Sequence, residues 1–203
     1  MSDEQPDDAS DEGSWPVDLA GVTESVVTTL GPNDHWNVAA LGVHEPGDDG
    51  VATATTWGRT RTWRNFSERG GGYVQFSRDP VDFVEAALSV REEADPVLDS
   101  ADAWTRVTVT ERDAGTDAGT QWVTWALRPA ESTVRRRVVP TTNRGHAAVV
   151  EATVAASRLD VQAYDRETLL DRLRYFESVV ETAGSERERA AFRRLETLVD
   201  AEW

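Results

Sequence analysis

Arg59-Thr60-Arg61-Thr62-Trp63-Arg64-Asn65-Phe66 crowds three arginines, two threonines and an asparagine into seven consecutive positions. Threonine is a favoured N-cap, so the spacing predicts a helix that starts at Thr60 or Thr62 and ends near Gly70. A helix start carries amides with no intrahelical acceptor, and the macrodipole adds partial positive charge there. Hydroxyls, guanidinium groups and free amides gathered at one helix start can hold a phosphate. A capped helix whose arginines are solvated or paired with carboxylates fits the same residues equally well.

The other chemically capable residues are few. Asn143-Arg144-Gly145-His146 stands where a second helix is expected to begin. Its amides and guanidinium suit an anion or the polar edge of a ring, and a plain N-cap with a salt-bridged arginine fits equally well. His44 falls at a strand exit and reads as a surface histidine. Arg135-Arg136-Arg137 reads as a surface run that pairs with carboxylates. Cysteine is absent and only His35, His44 and His146 offer imidazole, none at ligand spacing, so thiolate chemistry is excluded and no metal site is expected. No Gly-x-Gly-x-x-Gly, Walker A, Gly-x-Ser-x-Gly or metalloprotease motif occurs. Redox chemistry, if present, therefore needs a cofactor.

The composition sets outer bounds. The chain has 203 residues and a net charge of −16, and all 21 basic residues are arginine. Such acidity argues against nucleic acid or an anionic membrane as partner, and with lysine excluded it suggests a surface kept soluble by carboxylates in very high salt. Pairs such as Glu92-Glu93 then read as solvated surface. There is neither a transmembrane-length apolar run nor a signal-like N-terminus, and the expected compartment is the cytoplasm.

Several elements must position these residues. Residues 1–14 carry six Asp or Glu and no large apolar residue, and read as a disordered acidic tail. Val22–Leu30 and Trp36–Val43, joined by Gly-Pro-Asn-Asp, read as a β-hairpin, with Val51–Trp57 a third strand before the Thr60–Arg69 helix. Ala39, Ala40 and Gly42 would let something flat approach the second strand, or reflect tight sheet packing. Tyr73–Ser77 is a strand, and Asp79-Pro80 opens a short helix over Val81–Ser89. Glu92–Asp102 reads as a loop, and Ala103–Thr110 with Gln121–Arg128 as another hairpin. Six or so short strands, mostly antiparallel, point to a barrel. After Pro140 the period changes. Thr141–Leu159 is helical and apolar almost all round, so it must be covered on several sides. Asp165–Ala183 carries one apolar stripe, and Ser185-x-x-Glu188 is a capping box opening a last helix. The expected division is a tail over 1–14, a barrel domain over 15–140 and a three-helix lobe over 141–203.

With these residues in view, the chain resembles the FMN-binding split-barrel superfamily and, more closely, an uncharacterised archaeal family within it. Glu24–Thr29 followed by Asn37–Val43 is similar to the first hairpin, whose second strand lies against the isoalloxazine ring. Thr60-Arg61-Thr62-Trp63-Arg64-Asn65-Phe66 resembles the phosphate-binding Ser/Thr-x-Thr-x-x-Asn element of flavin reductases, with Phe66 where an aliphatic residue is usual. Asp79–Phe83 and Asn143-Arg144-Gly145 through Leu159 resemble elements of the archaeal family. The resemblance implies an α+β, mainly β fold: a split β-barrel with a C-terminal helical lobe, in a homodimer with FMN at the subunit interface. By position it implies that Thr60, Thr62 and either Arg59 or Arg61 hold the phosphate and that Asn65 braces their loop. Asn37, Val38, Ala39 and Ala40 would contact the ring, with Asn143 and Arg144 as further candidates. The implied activity is that of a flavin-dependent oxidoreductase or flavin reductase using a diffusible hydride donor. The alternatives are a non-enzymatic FMN module or a deazaflavin-binding one, with haem last for want of a well-placed histidine.

Overall fold

The computed structural model describes residues 13–203. Of the tail expected over residues 1–14, positions 1–12 lie outside the described residues. β1 (Val22–Leu30) and β2 (Trp36–His44) pair antiparallel along their whole length, from Val22 opposite His44 to Leu30 opposite Trp36. The β-branched residues of β1 suit this half-buried, pleated setting. β3 (Ala52–Trp57), α1 (Arg61–Arg69), β4 (Gly71–Ser77), α2 (Pro80–Leu88) and a three-residue β5 (Arg91–Glu93) follow. A long hairpin of β6 (Ala101–Asp117) and β7 (Thr120–Val134) completes the sheet.

The strands run in the order β1-β4-β6-β7-β3-β2, and β2 returns to β1, so six strands close into a barrel. Closure fails at one seam. β3 meets β2 only at Thr53 opposite His44, while β5 takes Trp36–Val38 on the same edge. Among the described residues, Ala39–Val43 therefore have no strand partner on that side. The barrel interior is filled by alternate residues of each strand, among them Val27, Leu41, Val43, Ala54, Val74 and Leu127. Phe66 of α1 plugs one end, edge-on to Trp125 with ring centroids 5.5 Å apart. Thr62, Asn65 and Phe66 form the buried face of α1, and Gly70 ends the helix at φ 67°, a left-handed conformation that only glycine adopts without strain.

α3 (Arg144–Ala156), α4 (Arg166–Ala183) and α5 (Glu186–Leu198) enclose a second core around Val149, Ala152, Leu173, Phe192 and Leu195. The capping box is present: the Ser185 hydroxyl accepts from the first turn of α5, and the Glu188 carboxylate accepts from Ser185 N at 2.8 Å. α3 starts tightly against the end of α4, where a Cβ on Gly145 would collide with the Gly184 backbone. Together these elements make an α+β, mainly β architecture, a split β-barrel with a C-terminal three-helix lobe.

The structure departs from the sequence reading in three places. α2 lies within the barrel half of the chain, yet Val84 joins the core of the helical lobe. The Glu92–Asp102 stretch includes the last two residues of β5 and the first two of β6, the former held to β2 by backbone pairing that its charged side chains do not announce. β6 outruns its expected end as an exposed ribbon, with Gly115 opposite Trp122, where no apolar alternation is required. β7 outruns its own end in the other direction, where Pro129–Val134 pairs along Val107–Ala103 and buries the polar pair Thr105 and Ser132.

Candidate ligand cleft at the barrel seam

The unpaired edge of β2 opens into a cleft of about 430 Å³, within the range of small-ligand sites. One wall is β2 itself, through Ala39, Ala40, Leu41 and Gly42; the facing wall is β3, through Thr55, Thr56 and Trp57. Phe83, Ala86 and Ala87 of α2 and Thr153, Val154 and Ser157 at the end of α3 close over it, so the helical lobe is part of the site. In an antiparallel strand every second residue turns its N–H and C=O to the same edge. The bare stretch of β2 thus offers a short row of donors and acceptors beside small side chains.

At one end of the cleft stands the start of α1, through Thr60 and Thr62. Thr60 caps the helix, its hydroxyl accepting from Trp63 N at 3.1 Å, which leaves its own proton to donate elsewhere. Thr62 is 4% exposed, and its hydroxyl has no hydrogen bond among the described residues. The first-turn amides of Arg61 and Thr62 have no carbonyl four residues back to pair with. Hydroxyl protons and outward amides converge there as an oxyanion requires. The lining contains two ionisable residues, Glu24 and Arg158. Burial raises the Glu24 carboxyl above its ordinary range, the Glu151 carboxylate raises it further, and the Arg158 guanidinium pulls it back. Arg158 is steadied by Tyr164, its guanidinium 5.0 Å from the ring centroid. Trp57, 55% exposed, stands on the rim.

Of the residues expected to form a site, Ala39, Ala40, Thr60 and Thr62 come together here. The others do not line the cleft, each for a physical reason. Arg61 points out of the helix start to Glu92, at 2.8 Å, and Arg59 to Gln121, at 3.1 Å, with its guanidinium 5.7 Å from the Trp63 ring centroid. Asn65 lies a turn further on, on the buried face of α1, where its amide donates to Thr29 Oγ1 at 3.0 Å and Thr29 O at 3.3 Å. It ties the helix to β1 rather than bracing the loop. Asn37 and Val38 are covered on their outer edge by β5. Asn143 caps α3, accepting from Gly145 N at 2.8 Å, and exposed Arg144 follows it. Both sit at the far end of the helix whose C-terminal turn lines the cleft.

Sequence reasoning missed Thr55, Thr56 and Trp57, though they precede the flagged helix directly. It also missed the α2 and α3 contributions and Arg158. The available signal was the apolar, small-residue character of Thr141–Leu159, which demanded a cover without saying which. Among the described residues no cluster of three or more His, Asp or Glu could hold a metal, and no helix is long and apolar enough to cross a membrane.

Comparison with known proteins agrees with this architecture. A protein from Methanosarcina mazei, solved with FMN bound, superposes with a TM-score of 0.78 at 24% identity, covering 90% of this chain and 97% of that one. Weaker likenesses are a flavin reductase complexed with NADP+ (TM-score 0.43, 12% identity, 60% of this chain and 84% of that one) and nitrilotriacetate monooxygenase component B from Bacillus cereus (TM-score 0.42, 13% identity, 61% and 74%). No curated protein matches. Residues 23–136 match the family model described as the N-terminal domain of "Protein of unknown function (DUF447)", and residues 143–197 match a second model described as "Protein of unknown function (DUF447)". By these matches, which span most of the sequence, the chain belongs to the DUF447 family.

Proposed function

We propose that the seam cleft binds FMN and that the protein is a flavin-dependent oxidoreductase served by a diffusible hydride donor. The observation that carries this reading is the juxtaposition of a bare β2 edge with a helix start bearing two free hydroxyl protons. A flat heterocycle with edge donors and acceptors fits the first, and a phosphate fits the second. The similar protein from Methanosarcina mazei holds FMN, which agrees with this assignment. Thr60 and Thr62 would take the phosphate and Ala39 and Ala40 would flank the ring. When bound, the flavin would supply hydride transfer, which no side chain here can perform. This chain's own residues would orient the ring along β2, exclude water with Phe83 and Val154, and place a cation, Arg158, at one end of the cleft. Exposed Trp57 on the rim offers a contact surface for a second copy, consistent with a homodimer that covers the ligand.

The test is a titration of the purified chain with FMN, riboflavin and a deazaflavin, followed by flavin fluorescence and visible absorption. FMN should bind more tightly than riboflavin, because the hydroxyl and amide contacts address the phosphate. Bound FMN should then be reduced by a nicotinamide or deazaflavin donor. Binding without reduction by any donor would favour a non-enzymatic flavin module, and failure to bind any flavin would overturn the reading.

A further inference from the structure

A second groove, about 540 Å³ in volume, runs along the barrel beside the seam cleft, and the two share Glu24 in their walls. Its floor is apolar, through Val17, Phe76 and buried Ala103, and its lining also carries Arg78, Arg136 and Arg137. Asp102 holds two of these arginines by their Nε edges, one carboxylate oxygen to each, at 2.7 Å. Arg136 is fixed further by bonds to Asp99 O at 2.9 Å and Ala101 O at 3.1 Å. The terminal nitrogens of Arg78, on a largely exposed side chain, have no hydrogen bond or ion pair among the described residues, and neither has Arg137. Burial would raise the Asp102 carboxyl, but bonds from Arg78 and Arg136 hold it below its ordinary range, so it stays charged and keeps them in place.

This arrangement runs against the rest of the molecule. A chain with net charge −16 has carboxylates to neutralise its cations, yet this groove sets three guanidinium groups against Asp102 and Glu24. Guanidinium forks with outward N–H groups are suited to oxyanions, and an apolar floor beneath them suits the body of the molecule that carries the oxyanion. The volume is that of a small-molecule site. We propose that this groove binds an amphipathic organic anion, an apolar body bearing a carboxylate, sulfonate or phosphate that Arg78 and Arg137 engage. Its adjacency to the seam cleft across Glu24 places that anion next to whatever the cleft holds.

The probe is 8-anilinonaphthalene-1-sulfonate, an aromatic body with one sulfonate whose fluorescence rises in apolar surroundings. The measurement uses the full chain without flavin, so its outcome is independent of the FMN assignment. Saturable single-site binding is expected, weakened about tenfold or more in Arg78→Gln/Arg137→Gln, the loss that follows removal of charge-assisted hydrogen bonds. Trp57→Ala, on the rim of the other cleft, should leave it unchanged. Uncharged N-phenyl-1-naphthylamine should not distinguish the double variant from the parent. Thermal melts establish that each variant is folded; if the double variant is not, Arg137→Gln alone, whose side chain has no hydrogen bond or ion pair among the described residues, should still weaken binding several-fold. The proposal is overturned if saturable binding is absent, if the arginine variants bind as the parent does, or if Trp57→Ala alone weakens it, since the probe would then occupy the seam.

Discussion

Replacing Thr62 with valine isolates the proposed phosphate contact from the other work of that residue. Thr62 is 4% exposed at the second position of α1, and its hydroxyl has no hydrogen bond among the described residues. Valine keeps the β-branched shape and a similar helix propensity, so the fold should lose little. A hydrogen bond to a charged acceptor contributes about 1.5–3 kcal/mol, which corresponds to roughly 10- to 150-fold in affinity. FMN should therefore bind Thr62→Val about 10- to 150-fold more weakly. Riboflavin, which has the same ring and no phosphate, should bind both proteins alike. Titration by flavin fluorescence quenching measures both ligands, and a thermal melt of the flavin-free protein checks the fold. Equal weakening of FMN and riboflavin, or no weakening of either, would refute the placement of the phosphate at the start of α1.

Other consequences can be checked separately. Gly145→Ala gains about 1 kcal/mol of helix propensity, but its Cβ would lie 2.7 Å from Gly184 N, and overpacking costs about 1–3 kcal/mol; denaturant melts should show a net loss, and a gain would disprove the tight α3–α4 contact. Asn65→Ala leaves the Thr29 carbonyl and hydroxyl without their buried partner and should lower stability by about 1–3 kcal/mol in the same assay. Glu24 has a raised folded-state pKa, so the folded chain binds more protons than the unfolded one above the ordinary value of 4.5, and stability falls as pH rises through that window. Glu24→Gln should accordingly raise the melting temperature at neutral pH, with the gain vanishing below about pH 4.5; a variant equally stable to the parent at both pH values would remove the cause assigned to the shift.

Local chemistry made much of this molecule legible before any coordinates. β-branched residues marked β1, the Gly-Pro-Asn-Asp turn marked the return of β2, and the alternation of Val74 and Phe76 marked β4. The cap residues Thr60, Asp79 and Ser185 marked three helix starts. What local chemistry does not encode is which way a long side chain leaves its element. Arg59 and Arg61 sit beside the threonines in sequence, yet side chains at a helix start fan out, and Glu92 and Gln121 draw these two away. Arg158 shows the converse. It stands about a hundred residues from β3, and only the packing of α3 across the seam brings it there. The β5 pairing was hidden for another reason: backbone hydrogen bonds supply it, and Arg91-Glu92-Glu93 gives no apolar sign of them.

The incomplete seam also bears on solubility. An unpaired strand edge is a template on which another chain can add a strand, and proteins blunt such edges by covering or charging them. Ala39–Gly42 is short, small and uncharged, so it has no charge of its own to deter a stranger. Its protection comes from Phe83 and Ala87 of α2 and Val154 of α3 lying across it. A fragment ending near Pro140 would keep every strand and lose α3, exposing part of an adhesive edge on an otherwise strongly acidic surface. The helical lobe is thus a guard against self-association as well as a wall of the cleft, and its removal should show first as aggregation through the seam.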